Sequence, residues 1–363
     1  MNIIKYILSI FSEENNENEI SKRFQETRNT SISLDVIISE IKEILCLKEG
    51  EKVVAYGSSV YEGISQNADI DLTILTKSFS PFKYNPRKKQ SENEEMFRNH
   101  QKQMKIERLG EIKEILEKEN SDIIKDIQFI PKAKVPLVNF KWKGIDIDIT
   151  IDNYEGYDNS QLLLTFFSIH EKISHFIYYI KEIHKEIKLI APKEGMFNSF
   201  SITLKIIQFL IKKGYLPEIQ NRKVIENNCG SEEHKIIKHK EICSSMKVEW
   251  VSCPHCFKEY KEKWENVNLK ELYLSYLEYY SSFNYSNHFI STFTLERKYV
   301  LMKKEPQKKE RKHKRRGTKK EKKERKDKMY IISPFIPFIN YTKGKKEFHK
   351  KKLIESYKTL QLK

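Results

Sequence analysis

Residues 53–75, VVAYGSSVYEGISQNADIDLTIL, decide the fold of this chain. The stretch opens with an apolar run that is typical of a buried strand, and it turns at Gly57. It ends on a second strand in which Asp69 and Asp71 alternate with apolar residues, so both carboxylates point to one face. Like charges side by side repel each other, which folding alone does not explain and a hard cation such as Mg²⁺ does. The turn also frees backbone N–H groups and the hydroxyl of Ser58 to hold phosphate.

A lone Asp-x-Asp is typical of a surface hairpin whose carboxylates face water. The combination of strand, Gly-Ser, spacer and Asp-Ile-Asp-Leu is more specific. It resembles the signature of the DNA polymerase β-like nucleotidyltransferase superfamily. That resemblance implies a third carboxylate on a later strand.

A second alternating stretch, GIDIDITI at residues 144–151, supplies two candidates for the third carboxylate. Asp146 and Asp148 share one face of the predicted strand, and the period alone does not separate them. The family pattern resembles residues 148–153, DITIDN, and therefore assigns the third metal ligand to Asp148. We interpret Asp146 as a solvated neighbour, with a supporting role behind the metal ligands as the alternative.

The positive charge of the chain is concentrated in one block. The 363 residues carry a formal net charge of +16, and residues 303–328 contain 16 basic and 5 acidic residues. This block has too few apolar residues to fold alone. We interpret it as a contact for the phosphate backbone of RNA, with a nuclear-import signal or a solvated insertion as alternatives.

Cysteine count and hydropathy indicate the class of compartment. Five cysteines, an odd number, do not indicate a disulfide scaffold and favour a reducing compartment. No apolar run has the roughly 18 residues that a membrane span needs, so we predict no membrane partner. The opening MNIIKYILSIF is short and lacks a cleavage site, and we interpret it as a docking or frayed end. Both the cytoplasm and the nucleus fit these features.

Periodicity predicts helices and strands along the rest of the chain. A helix beginning at Asn159 would have Asn159 or Ser160 as its N-cap. Residues 78–105 and 218–264 lack a clear period and are predicted to be loops. The other predicted helices are 20–47, 106–124, 173–190, 199–212, 269–283 and 345–360, the predicted strands are 127–130 and 135–140, and 289–301 is predicted to be a short hairpin.

The order of several segments resembles the noncanonical poly(A) polymerases and terminal uridylyltransferases. These segments begin with the two Asp-containing strands and continue with YDNSQLLLTF, YYIKEIHKEIK, GMFNSFSITLKIIQFL and IISPFIPFIN. The resemblance implies an α+β fold, in which a mixed-sheet nucleotidyltransferase domain joins a mainly helical poly(A)-polymerase-associated domain with the active site between them. The predicted divisions are an N-terminal helical segment at 1–50, a catalytic domain at 51–155 with an inserted loop at 78–105, and a helical domain at 156–363 with the basic insertion at 303–328.

The resemblance also implies a two-metal mechanism and a set of site residues. Two Mg²⁺ or Mn²⁺ ions lie between Asp69, Asp71 and Asp148, activate an RNA 3′-hydroxyl and hold the triphosphate. The matched nucleotide-binding residues are Gly57 and Ser58 for phosphate, Asn159 for the ribose, Lys181 and Lys185 for the triphosphate, and Ser199 and Phe200 for the base. Without the resemblance, the two lysines would be interpreted as solvated surface charges. The implied substrates are an RNA 3′ end and a nucleoside triphosphate, with RNA-processing proteins as partners.

Nucleotide choice is predicted from one position near the C-terminus. In the uridylyltransferases of this family a histidine narrows the base pocket, and the segment IISPFIPFIN places Ile339 there. Isoleucine offers no polar edge, so we predict a preference for ATP, with UTP as the alternative. Two other function classes stay open: a catalytically silent RNA-binding or scaffold relative, and a small-molecule or oligoadenylate-synthetase-like nucleotidyltransferase.

A zinc site is the one metal alternative to the carboxylate centre. Cys253 and Cys256 have the spacing of half a zinc site, and their partners would come from Cys229, His234, His239 and Cys243. One Cys-x-x-C with irregularly placed partners favours no zinc. The alternative is a structural Zn²⁺ that cross-links the loop.

Overall fold

The computed structural model describes residues 33–64, 69–76, 90–119, 122–227, 229–238, 249–285, 288–292, 329–335, 340–342 and 347–361. These residues divide into two compact units, one up to Leu164 and one from Thr165 onward. The predicted basic insertion at 303–328 and the predicted base-pocket position Ile339 lie outside the described residues. No helix in the described ranges is long and apolar enough to cross a membrane.

The first unit is built on a five-stranded mixed sheet with the strand order β1-β2-β5-β4-β3. Strands β2 and β5 are parallel, and the other neighbours are antiparallel. The predicted α+β class with a mixed sheet is confirmed. The strands are β1 Lys52–Tyr56, β2 Ile70–Leu75, β3 Ile124–Ile130, β4 Leu137–Trp142 and β5 Ile145–Ile151.

The helices of the first unit are α1 Leu34–Ile44, the short α2 Ser58–Tyr61, α3 Gln90–Lys118 and α4 Tyr154–Phe167, whose residues from Thr165 onward belong to the second unit. Apolar side chains of α1 and α3 are fully buried in the same core as the inner strands, because their spacing places them on one helix face. Arg108 on α3 donates from Nε and Nη2 to the two carboxylate oxygens of Glu51, at 2.9 and 2.7 Å. Both side chains are nearly buried, so this two-point ion pair holds α3 beside the start of β1.

The predicted loop at 78–105 is wrong for its second half. Helix α3 begins at Gln90, and the predicted helix at 106–124 ends at Lys118. The stretch from Gln90 to Lys105 has no apolar period, but it is rich in glutamate, lysine and glutamine, which have high helix propensity. The packed C-terminal half of α3 supports the polar half, so the helix extends beyond its apolar stripe.

Two other predicted boundaries differ. Helix α1 begins at Leu34, where Ser33 caps it by accepting from Val36 N, and the predicted start at residue 20 lies outside the described residues. Helix α4 begins at Tyr154 rather than at Asn159. Asn159 and Ser160 therefore lie inside the helix, and neither is its N-cap. Asn153, just before it, accepts from Gly156 N at 3.1 Å and takes that place.

The second unit is mainly helical in its described part. Its helices are α5 Glu171–Glu186, α6 Ser199–Lys212, α7 Arg222–Glu226, α8 Lys258–Glu265, α9 Leu269–Ser281 and α10 Glu347–Gln361. The predicted bounds of α6 agree with the structure, because Asn198 caps its start by accepting from Ser201 N and eleven consecutive residues of it are buried. The predicted irregular stretch 218–264 is wrong in part. It contains α7, α8 and a hairpin of β6 Lys235–Lys238 and β7 Glu249–Ser252.

Candidate active site

The three predicted carboxylates lie on or next to two neighbouring inner strands of the mixed sheet, β2 and β5. Asp71 on β2 lies directly opposite Asp148 on the parallel strand β5. Asp69 immediately precedes β2 and is exposed, whereas Asp71 and Asp148 are half-buried. Parallel pairing in register brings two carboxylates from distant parts of the chain side by side.

Electrostatics single out Asp71 within this group. Burial, with the negative charges of Asp148 and Asp69, raises the pKa of Asp71 to about 7. Tyr56, opposite Asp71 on β1, has its pKa raised to about 12 by burial and by the charge of Asp71. Burial and the neighbouring negative charges therefore both oppose the ionised form of Asp71.

Asn139 on β4 fixes the third carboxylate. It lies opposite Asp148 in the antiparallel β4–β5 pair, and its Nδ2 donates to Asp148 Oδ1 at 2.8 Å. Asp146 lies two residues earlier, opposite Lys141. The pKa of Lys141 is raised first by its ion pair with Asp126, at 3.1 Å, and further by the negative charge of Asp146. Asp148 therefore belongs to the carboxylate group, and Asp146 is associated with a surface lysine.

Gly57 has a backbone conformation that favours glycine, and its Cα lies too close to a neighbouring side chain for any Cβ to fit. Its φ of +79° and ψ of −167° lie outside the regions that other residues occupy. A Cβ at this position would overlap with the carboxylate of Asp71. The backbone of the turn thus lies directly against a metal-ligand candidate, and helix α2 begins at Ser58 immediately after it.

Helix α4 is tied to this turn. Gly57 N donates to Ser160 Oγ at 2.7 Å, and Ser160 Oγ donates to Gly156 O at 2.8 Å. Asn159, the residue matched to ribose binding, is buried in the same helix. Before the helix, Asp152 accepts from both the backbone N–H and the hydroxyl of Thr76, at 2.8 Å each. These contacts hold the start of α4 to the end of β2.

The carboxylate group fits a divalent cation. Three carboxylates supply only oxygen ligands, which Mg²⁺ and Mn²⁺ prefer; two come from the paired strands β2 and β5, and Asp69 immediately precedes β2. Burial and the charges of Asp148 and Asp69 raise the pKa of Asp71, and a divalent cation bound here would offset these effects. Asp69, Asp71 and Asp148 are therefore the residues that would hold the ions.

The other matched residues lie in the second unit, where each has its own surroundings. Lys181 on α5 is buried, whereas Lys185, one turn later, is exposed and pairs with Glu182 Oε1 at 2.6 Å. Ser199 is the first residue of α6 and is half-buried. The ring of Phe200 lies edge-on to Tyr341, with centroids 5.1 Å apart and planes at 88°. The assignment of these four residues to nucleotide binding stays a prediction.

The chain is similar to known nucleotidyltransferases in sequence and in fold. Residues 12–168 match the family model described as poly(A) RNA polymerase, mitochondrial-like, central palm domain. Poly(A) RNA polymerase GLD2 of Bos taurus is 25% identical over 165 residues, which are 44% of this chain and 31% of that protein. The predicted resemblance to the noncanonical poly(A) polymerase and terminal uridylyltransferase family is confirmed.

Two solved structures of this family are similar to the chain in fold. The structure of mtPAP in complex with ATPγS has a TM-score of 0.68 at 16% identity, over 100% of this chain and 70% of that one. Terminal uridylyl transferase 4 from Trypanosoma brucei with bound GTP has a TM-score of 0.61 at 14% identity, over 94% of this chain and 96% of that one. The chain spans about a third of the length of the curated relatives that it matches.

Sequence reasoning missed two residues of the candidate site, Ser160 and Asn139. Ser160 was considered only as a cap, and Asn139 looked like any polar residue on the outer face of β4. Neither has a local signal, because Ser160 acts through Gly57, which is distant along the chain, and Asn139 acts through Asp148, its partner across the β4–β5 hairpin, whose register periodicity alone does not give. The family pattern ending at Asn153 was the nearest hint, since Asn153 starts the helix that carries Ser160.

Proposed function

We propose that this chain adds nucleotides to the 3′ end of RNA without a template. The observation that carries the proposal is the group of Asp69, Asp71 and Asp148 beside the Gly57 turn. The family model and the poly(A) polymerase and uridylyltransferase relatives support the same reaction class.

In the proposed reaction the 3′ oxygen of the RNA attacks the α-phosphorus of a nucleoside triphosphate. A phosphodiester bond forms, the bond from the α-phosphorus to the oxygen that bridges to the β-phosphate breaks, and pyrophosphate leaves. The hydroxyl proton passes to water. The chemistry supplied by bound divalent cations is a lower pKa of the attacking hydroxyl and neutralisation of the triphosphate charge.

The residues of the chain position these groups. Asp69, Asp71 and Asp148 would hold the cations, and Asn139 orients the Asp148 carboxylate through its hydrogen bond. Gly57 and Ser58 are assigned to phosphate and Asn159 to the ribose. Lys181 and Lys185 are assigned to the triphosphate, and Ser199 with Phe200 to the base.

We propose ATP as the preferred nucleotide and UTP as the alternative. The proposal rests on Ile339, which offers no hydrogen bond to a base edge, and on the stacking face of Phe200. An apolar pocket of this kind accepts a purine. RNA-processing proteins as partners, and a cytoplasmic or nuclear location, stay predictions.

One experiment tests both reaction and nucleotide. The purified full chain is incubated with a short RNA primer, Mg²⁺ or Mn²⁺, and each of the four nucleoside triphosphates separately. We expect long tails with ATP, no tails in Asp148→Ala, and near-normal tails in the matched control Asp146→Ala. Tails with UTP and none with ATP would show that UTP, not ATP, is the preferred nucleotide.

The same experiment separates the competing function classes. If no nucleotide is added to RNA but the protein binds the primer, the chain is a catalytically silent RNA-binding or scaffold relative. If tails form in Asp148→Ala and are lost in Asp146→Ala, the third metal ligand is Asp146.

A further inference from the structure

Four metal-ligating side chains lie together in the second unit, away in sequence from the carboxylate group. They are Cys229, His234, Cys253 and Cys256, and their ligand atoms all lie within 4.8 Å of one another. Cys229 Sγ is 3.5 Å from His234 Nδ1 and 3.6 Å from Cys253 Sγ, and Cys256 Sγ is 3.5 Å from His234 Nδ1. The cysteines are free thiols rather than disulfides.

These separations match the edges of a tetrahedral zinc site. With Zn–S of about 2.3 Å and Zn–N of about 2.0–2.1 Å, tetrahedral angles separate two sulfurs by about 3.8 Å and a sulfur from a nitrogen by about 3.6 Å. The three separations given above differ from these values by about 0.2 Å or less, and the remaining ligand atoms lie within 4.8 Å of one another. Three soft thiolates and one imidazole, which also suits zinc, select zinc over Mg²⁺ or Mn²⁺.

We propose that Cys229, His234, Cys253 and Cys256 bind one structural zinc ion. Four protein ligands close the coordination shell and leave no position for a substrate, as in structural rather than catalytic zinc sites. The four residues form the pattern Cys-x4-His and Cys-x2-Cys separated by 18 residues. Two of the upstream candidates, His239 and Cys243, lie outside the described residues, and the two others complete the set.

The zinc ion would link the two open ends of the β6–β7 hairpin. Cys229 and His234 lead into β6, Cys253 directly follows β7, and Cys256 lies in the short turn after it. The hairpin has only four residue pairs, and an isolated two-stranded hairpin of this length is marginal in water. Joining its two open ends through one ion removes much of the conformational freedom that opposes pairing.

The zinc linkage would affect the whole second unit, because strand β7 packs in its core. Trp250 is fully buried, donates from Nε1 to Thr165 Oγ1 at 3.2 Å and lies with its ring centroid 5.5 Å from that of Phe335. Val251 N donates to Ile219 O at 3.0 Å. Loss of the ion would therefore loosen a strand that is packed on several elements of this unit.

The test measures metal content and coordination in the purified full chain with its thiols reduced. We expect about one zinc ion per chain by elemental analysis, as a four-ligand site requires. We expect Co²⁺ in its place to give the visible absorption of a tetrahedral thiolate site. Cys253→Ser and His234→Ala should lose the metal, and chelation should lower the thermal unfolding midpoint of the unchanged chain.

Matched variants keep the test decisive. Cys46→Ser changes an exposed cysteine of the first unit, and His255→Ala changes an exposed histidine between Cys253 and Cys256; both should keep the full zinc content. Cys256→His keeps a ligand at its position and should retain zinc, whereas Cys256→Ser should lose it. Asp71→Asn, which should have no transferase activity, should still bind zinc. The zinc proposal is therefore tested independently of the proposed activity.

Three results would overturn the proposal. The first is a folded, reduced chain without zinc that also gives no tetrahedral Co²⁺ spectrum. The second is a disulfide between Cys229 and Cys253 in the freshly purified protein, found by mass spectrometry without reductant. The third is zinc that stays at full content in Cys253→Ser and His234→Ala.

Discussion

Asp71 on β2 and Asp148 on β5 lie at paired positions of two parallel strands, although 76 residues lie between them along the chain. The pairing brings two carboxylates together in a partly buried place, and burial with the neighbouring negative charges raises the pKa of Asp71 to about 7. A protein gains nothing in stability from this arrangement, so its use must lie in what it binds.

Replacement of Asp71 by asparagine should stabilise the metal-free protein and abolish its response to metal. The amide removes one charge from the group of three while keeping the size of the side chain. Each pKa unit of such a shift corresponds to about 1.4 kcal/mol, so the free energy of unfolding in EDTA should rise by at least about 1 kcal/mol. Thermal unfolding in EDTA and in Mg²⁺ measures both effects, and RNA tailing should be lost. Asp146→Asn is the control, and a Mg²⁺ stabilisation that persists in Asp71→Asn would contradict the metal assignment.

Replacement of Gly57 by alanine should disable the site and destabilise the first unit. The added Cβ would overlap with the Asp71 carboxylate, and the backbone would be held in a conformation that costs roughly 1–3 kcal/mol for other residues. Gly144→Ala is the matched control, because Gly144 also has a positive φ, of +84°, but a Cβ there meets nothing within 4 Å. Urea unfolding and tailing rates measure the difference, and equal loss of activity in both variants would show that overlap with Asp71 is not the cause.

Lys205 should make the stability of the second unit depend on pH. It is fully buried on α6, where Nζ donates to Tyr357 Oη at 2.6 Å and lies 3.9 Å from the ring centroid of Tyr280. Burial lowers the pKa of Lys205 well below its usual value. Above that lowered pKa and below about 10.4, the unfolded chain binds a proton that the folded chain does not, so stability rises with pH.

The pH window for this effect follows from the groups that surround Lys205. On α5, burial and Lys205 itself lower the pKa of His184 below 6.5, so His184 acts only at acid pH. Tyr276, Tyr280 and Tyr357 have pKa values raised above 10 by burial and act only at alkaline pH. Between the lowered pKa of Lys205 and about pH 9.5 the free energy of unfolding should rise by up to about 1.4 kcal/mol per pH unit. Lys205→Met should flatten this slope and the exposed control Lys213→Met should not; an unchanged slope in Lys205→Met would mean that Lys205 stays protonated.

Deletion of residues 303–328 should weaken RNA binding and flatten its dependence on salt. The block contains 16 of the basic residues, and each phosphate contact that is lost removes about one unit from the salt slope. Binding of a short RNA between low and moderate salt measures the slope, and circular dichroism checks that the fold is intact. A variant with the lysines of the block changed to glutamine keeps its length and should behave like the deletion. An unchanged slope in both variants would remove the block from the RNA contacts.

Local patterns in the sequence predicted much of the sheet and some helices. The alternation around Asp71 and Asp148 predicted both strands, because a strand with one buried face repeats every two residues. Helix α6 was predicted in full from its strongly apolar run, and the structure adds the Asn198 cap at its start. The polar half of α3 was missed, because its helix formers carry no apolar period.

The sequence by itself determined that the chain carries two Asp-containing strands and a Gly-Ser turn, since these are properties of neighbouring residues. Only the tertiary structure decided that Asp148 pairs with Asp71, that Ser160 accepts from Gly57, and that Cys229 and His234 face Cys253 and Cys256. The physical reason is that strand register and helix docking depend on how the whole core packs. Residues brought together across long stretches of chain leave no periodicity for a local pattern to record.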